Sequence, residues 1–156
     1  MQMKFLWAGA AAMMGWVLYY MFARQLIFNF TTAYPLVKKM KAARQDLIAD
    51  SADKYTTTSV AAIIFILAVL IFVLVRFFAL YIIIAFFVGF AVCGIMLIKN
   101  IGPENRKIFD TFCGAYYRFV PDDELRTDMY NCKPSKMKVR LHEMGVSTDW
   151  IPDFKD

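Results

Sequence analysis

His142 is the only histidine in the chain, and Glu143 follows it directly. A His-Glu pair on a helix suits zinc hydrolysis when a second histidine completes HExxH; none does, which excludes a metal site built on imidazole. A Ser-His-Asp relay would also have to use His142, and no serine sits in a GxSxG-like turn that would expose a nucleophile. His142 therefore reads as solvated surface. The run Asp122-Asp123-Glu124 has the charge to hold a cation, but it follows Pro121 at a predicted helix start. There, carboxylates complement the positive end of the helix dipole without any ligand. The glycines are too scattered for a phosphate or dinucleotide loop. These residues predict neither an enzyme nor a cofactor.

The cysteines are no more specific. Cys93 lies in an apolar run, and Cys113 and Cys132 lie in a polar tail. An odd number cannot close a disulfide framework within one chain, and there is no CxxC. Free thiols in a reducing compartment are the expectation. The remaining candidate is Arg76, a lone charge in a long apolar stretch, and its meaning depends on the elements around it.

Of 156 residues, 60% are hydrophobic and 20% charged, against a usual apolar share of about 45–50%. With 15 Phe but only 7 Gly and 5 Pro, disordered and collagen-like classes are excluded. The surplus is concentrated, and its placement predicts an all-α integral membrane protein with three transmembrane helices. The first apolar run, Phe5 to Ala23, has the length of a bilayer span of ~30 Å. It is longer than a signal-peptide core, and a cut after Ala23 would put Met21 where a small residue belongs, so it reads as a retained anchor. Trp7, Trp16, Tyr19 and Tyr20 have the character of interface anchors.

From Ser59 to Ile98 the single charge is Arg76. A straight helix of that length would be about 60 Å, twice the hydrocarbon thickness. Two helices, 58–75 and 78–98, with Arg76 at the turn between them, solve the problem. An arginine at the bilayer centre costs at least ~2.5–3.5 kcal/mol, and little at an interface. Residues 75–78 contain no usual turn former, which leaves a bent helix with an intramembrane Arg76 as the rival. Ala11 with Gly15, and Ala85, Gly89 and Cys93, repeat every four residues, a spacing that lets helix backbones approach closely. The stripes serve either packing within the chain or self-association.

Between spans one and two lie Lys38, Lys39, Lys41, Arg44 and Lys54, and Lys99, Arg106 and Lys107 follow span three. The positive-inside rule puts the 31–58 loop and the C-terminal tail in the cytoplasm, with the N-terminus outside. The chain divides accordingly into a first span (1–30), a loop (31–58), a hairpin (59–98) and a tail (99–156). In the loop, Leu36, Met40, Ala43 and Leu47 recur at helical spacing, with Val37 and Ile48 beside them. The basic face of this amphipathic helix, Lys38, Lys39, Lys41 and Arg44, suits an anionic inner leaflet; packing on the tail or a partner is the equal alternative. Thr56 to Ser59 are cap candidates for the second span.

The tail carries 10 basic and 10 acidic residues, a balance that does not suit nucleic acid. Gly102-Pro103 breaks the third span, and Phe109, Phe112, Tyr116 and Phe119 form an aromatic face that needs covering. Residues 136–142 alternate apolar and basic, so a strand competes there with a short helix between Ser135 and Gly145. The spans hold no Asp, Glu, Lys or His, so transport by one chain is not expected. The composite expectation is a small non-catalytic subunit or accessory of a membrane assembly, its aromatic tail docking on a protein partner. The alternative is a homo-oligomeric pore with Arg76 near the outer mouth.

Overall fold

A computed structural model describes residues 2–97 and 101–154; helices are the only regular elements among them, with no strand. Three helices are long and apolar enough to cross a membrane: Met3–Ala43, Ser51–Phe77 and Leu80–Leu97. The predicted end of the third span at Ile98 and Lys99 lies outside the described residues.

The first helix does not stop at Arg24 as the charge pattern suggests, but continues for 41 residues. It comprises α1 (Gln2–Leu18), α2 (Arg24–Phe28) and α3 (Tyr34–Ala43), joined by two π-helical turns at Tyr19–Ala23 and Asn29–Ala33. In these turns the amides of Arg24 and Tyr34 donate to the carbonyls of Tyr19 and Asn29. The second π turn has a sequence cause. Pro35 has no amide to donate, and its ring crowds the carbonyl four residues earlier; a widened turn just before it lets the helix continue. Arg24 escapes the apolar surroundings by laying its guanidinium over the Tyr20 ring, 5.0 Å from the centroid.

Helix α4 (Ser51–Phe77) begins earlier than expected, so Thr56 is not a cap. It is buried in the helix interior, where its hydroxyl donates to the Ala52 carbonyl at 2.9 Å. The turn falls at Phe78 and Ala79, before α5 (Leu80–Leu97). Arg76 therefore occupies the last turn of α4, exposed, where a cation complements the negative helix end. A bent single helix is thereby ruled out.

The chain forms two compact units, each assembled from two separate segments. The membrane unit comprises residues 1–27 and 59–100. The second unit comprises 28–58 and 101–156, and is built around α6 (Arg106–Tyr116), α7 (Asp123–Tyr130) and α8 (Pro134–Glu143). Its core is continuous: Leu36, Val37 and Met40 of α3 pack with Phe109, Phe112 and Tyr116 of α6, all but closed to solvent. Burial of each such side chain is worth roughly 1.5–3 kcal/mol, so the loop supplies the cover a lone tail would lack. Ala49 donates its amide to the Phe119 carbonyl at 2.8 Å, and the Thr56 and Tyr116 hydroxyls meet at 2.6 Å in the interior. Residues 136–142 lie on helix α8, which starts at Pro134 and is followed by Gly145 in the left-handed region. The strand alternative fails because Met137 and Leu141, four apart, are both fully buried, whereas Val139 is exposed.

The Asp122 side chain caps α7, accepting from the Leu125 amide at 2.8 Å. That bond, with Arg140 contributing, holds the Asp122 carboxyl below the ordinary carboxylate range. A depressed folded pKa gives stabilisation that is complete above the unfolded value and lost as pH falls through the folded one. Asp122→Asn should keep the cap and flatten the acid limb of the tail's melting profile, while Asp122→Ala should lose about 1 kcal/mol at neutral pH. Tyr116→Phe leaves Thr56 bonded to Ala52 and should cost only about 1 kcal/mol. Thermal melts of the full chain in micelles, followed by near-UV circular dichroism, check all three.

Candidate functional site

Helices α1 and α5 pack along their length, and the small residues decide where. A β-carbon on Gly15 would overlap the carbonyl oxygen of Phe86, and one on Gly89 would overlap the carbonyl of Ala12. The backbones therefore touch through both glycines. Ala11 and Phe86 are buried in one cluster beside this contact, Ala85 packs partly buried against it, and Cys93 lies fully buried one turn beyond Gly89. Contacts advance together along both helices: Ala11 clusters with Phe86, Gly15 sits against Phe86 and Phe90, Tyr19 meets Phe90 and Gly94, and Ala23 clusters with Cys93. The two helices therefore run parallel. Tyr19 packs edge-on against Phe90 at 5.0 Å and is 3% exposed. It is thus an interior residue and not the interface anchor its type suggests.

Helix α4 is held differently. Its membrane half meets the α1/α5 pair through Leu70 and Leu74, and most of its other large side chains are exposed. Between α4 and the pair lies an apolar cleft of about 640 Å³, with Trp7, Phe65, Val69, Leu74, Phe78 and Phe86 in its wall. A cleft of this size matches that of small-molecule sites, but no charged group converges on it. Its walls offer shape and dispersion contact only.

The other predicted residues are dispersed. Lys38 and Lys39 are exposed on α3. Lys41 makes ion pairs with Asp50, at 2.8 Å, and Asp53, and Arg44 pairs with Asp46. Half of the basic face is thus engaged by acidic groups of the chain's own loop. Phe109, Phe112 and Tyr116 are fully buried in the second unit, and Phe119 packs partly buried against them. The aromatic face therefore has its cover within the chain, from the loop helix and α4, and those three rings are not presented at the surface.

Comparisons with protein-family models, curated proteins and solved structures gave no match. The geometry alone carries the functional argument.

Sequence reasoning reached the glycine contact but missed the cleft. Periodicity cannot find such a site: α4 is apolar on every side, so its pattern does not separate a packed face from an open one. Gly89→Leu should force α1 and α5 apart, costing about 1–3 kcal/mol or more. Gly9→Leu, on an α1 position open to space, should be near neutral. Thermal stability of the two variants in native-lipid discs, measured side by side, tests the crossing.

Proposed function

We propose that this chain is a non-catalytic subunit of a membrane assembly, and that the cleft beside α4 receives a transmembrane helix of a partner protein. The supporting observation is the loosely held α4. A helix with so much large apolar surface gains little in lipid by folding against its own chain. It gains dispersion contacts where a partner's side chains fill the cleft, since packing rather than water expulsion drives association there. Trp7, Phe65 and Phe86 give the wall the aromatic character common in well-packed protein interfaces. The second unit, with its covered core, supplies a folded cytoplasmic platform.

In this proposal the protein lies in a bacterial inner membrane, N-terminus out and tail in the cytoplasm. Support comes from the basic loop and tail under the positive-inside rule. The parallel course of α1 and α5 agrees with three spans, because the two helices must cross in the same sense. Lys38 and Lys39, exposed on α3, face anionic headgroups and contribute ~1 kcal/mol each to surface attraction.

The competing assembly is a ring of identical chains around a pore. The exposed Arg76 at the hairpin end favours it; the glycine contacts do not, since both are spent within one chain. A photoreactive phenylalanine analogue at Phe65 or Val69, activated in native membranes, distinguishes the two. The expected product is an adduct with a different membrane protein, abolished by Phe86→Ala. Adducts with lipid alone overturn the subunit reading. Adducts with a second copy, together with a conductance that changes in Arg76→Glu, establish the pore instead.

A further inference from the structure

The end of α7 contains a residue that its backbone position disfavours. The Cys132 amide donates to the Met129 carbonyl and the Lys133 amide to the Asp128 carbonyl, each at 3.0 Å, which is the Schellman arrangement. Cys132 occupies its left-handed position with φ of 45°, the one non-glycine residue with positive φ among the described residues. Glycine or asparagine normally stands there, because a β-carbon is strained in that region. Strain of this kind persists where surrounding contacts hold it, and here they do. The Cys132 thiol donates to Asp110 Oδ1 at 2.8 Å, and its carbonyl accepts from Arg106 Nη2 at 3.0 Å. Arg106 in turn donates from Nε to the same Asp110 oxygen at 2.9 Å.

This clamp holds the sulfur beside a second thiol. Cys113 is three residues after Asp110, on the same face of α6. It is fully buried in the core against which Cys132 packs, three residues along α6 from the Asp110 carboxylate that holds the Cys132 thiol, so the two sulfurs are neighbours. Cys132 retains access to solvent, whereas Cys113 does not. The neighbouring Cys132 thiol and burial push the Cys113 thiol upward from its usual range, so it resists ionisation and direct attack from outside while Cys132 is free.

We infer that Cys113 and Cys132 form a reversible dithiol–disulfide pair, a redox-modifiable site that takes a small-molecule disulfide of the glutathione class as oxidant. Cys132 sulfur attacks one sulfur of the oxidant, forming a mixed disulfide and releasing one small thiol. With the free Cys132 thiol consumed, the largest cause of the raised Cys113 pKa is gone; Cys113 loses its proton as its sulfur attacks Cys132 sulfur, the mixed disulfide breaks, and a second small thiol leaves with that proton. The two protein thiols lose two electrons, the oxidant gains them, and both thiol protons end on the released thiols. Once bonded to Cys113, the Cys132 sulfur no longer donates to Asp110. The bond closes a loop from α6 to the end of α7, which restrains the unfolded chain and raises the melting temperature of the second unit. Disulfides of this kind in a reducing compartment are usually transient and redox-sensing.

The full chain in native-lipid discs is equilibrated with graded mixtures of reduced and oxidised glutathione, then alkylated and mapped by peptide mass. The expected result is a Cys113–Cys132 linked peptide within one chain, reversed by excess reduced glutathione, with Cys93 still alkylatable after denaturation. Cys113→Ser should trap glutathione on Cys132. Cys132→Gly, which suits the left-handed position, should fold with equal or higher stability and lose the redox-dependent melting shift entirely. Both thiols alkylating fully at every ratio overturns the inference, as does linkage only between separate chains or a melting shift that survives in Cys132→Gly.

Discussion

Where α1 crosses α5, the backbone of each helix fills the place where a side chain of the other would stand. That close approach governs the membrane unit. It is available only because Gly15 and Gly89 carry no β-carbon, and it lets two largely featureless apolar helices find one register. Lipid offers no hydrophobic reward for helix association, so shape must specify it. Once α1 and α5 are so closely joined, α4 adds Leu70 and Leu74 to their cluster while most of its large side chains stay exposed. The open cleft is the counterpart of the tight pair.

The second unit follows the opposite rule. Its helices each turn one apolar face inward. Phe109, Phe112 and Tyr116 recur at the spacing of one α-helical face, and so do Leu36 and Met40 on α3; the two faces share one core. Polar pairing then fixes details that hydrophobicity leaves free. The Thr56–Tyr116 hydrogen bond and the Ala49–Phe119 bond tie the loop side to the tail.

Legibility in the sequence follows the same division. Three apolar helices and the hairpin turn near Arg76 are evident from length and charge, because a bilayer sets both. The glycine stripes are visible because small residues four apart share one helix face. The cleft is not, since an all-apolar α4 carries no facial contrast. The charge at Arg24 suggested the end of the first span, and the helix instead runs on and absorbs Pro35 with a π turn. The 136–142 segment alternates over a stretch too short for periodicity to separate strand from helix, and packing of Met137 with Leu141 decided it. The thiol pair was out of reach because Cys113 and Cys132 meet only once α6 and α7 are folded.

Both units are discontinuous in sequence, and this sets an order of events during synthesis. When the ribosome has completed the first span and loop, neither unit has its partner segment. Gly15 must wait in the bilayer for Gly89, and the α3 face must wait for α6. Long-range closure of this kind delays tertiary structure until much of the chain has been made. Insertion of the first span therefore precedes the tertiary packing of both units, and a nascent chain stalled before α5 would hold neither unit's core.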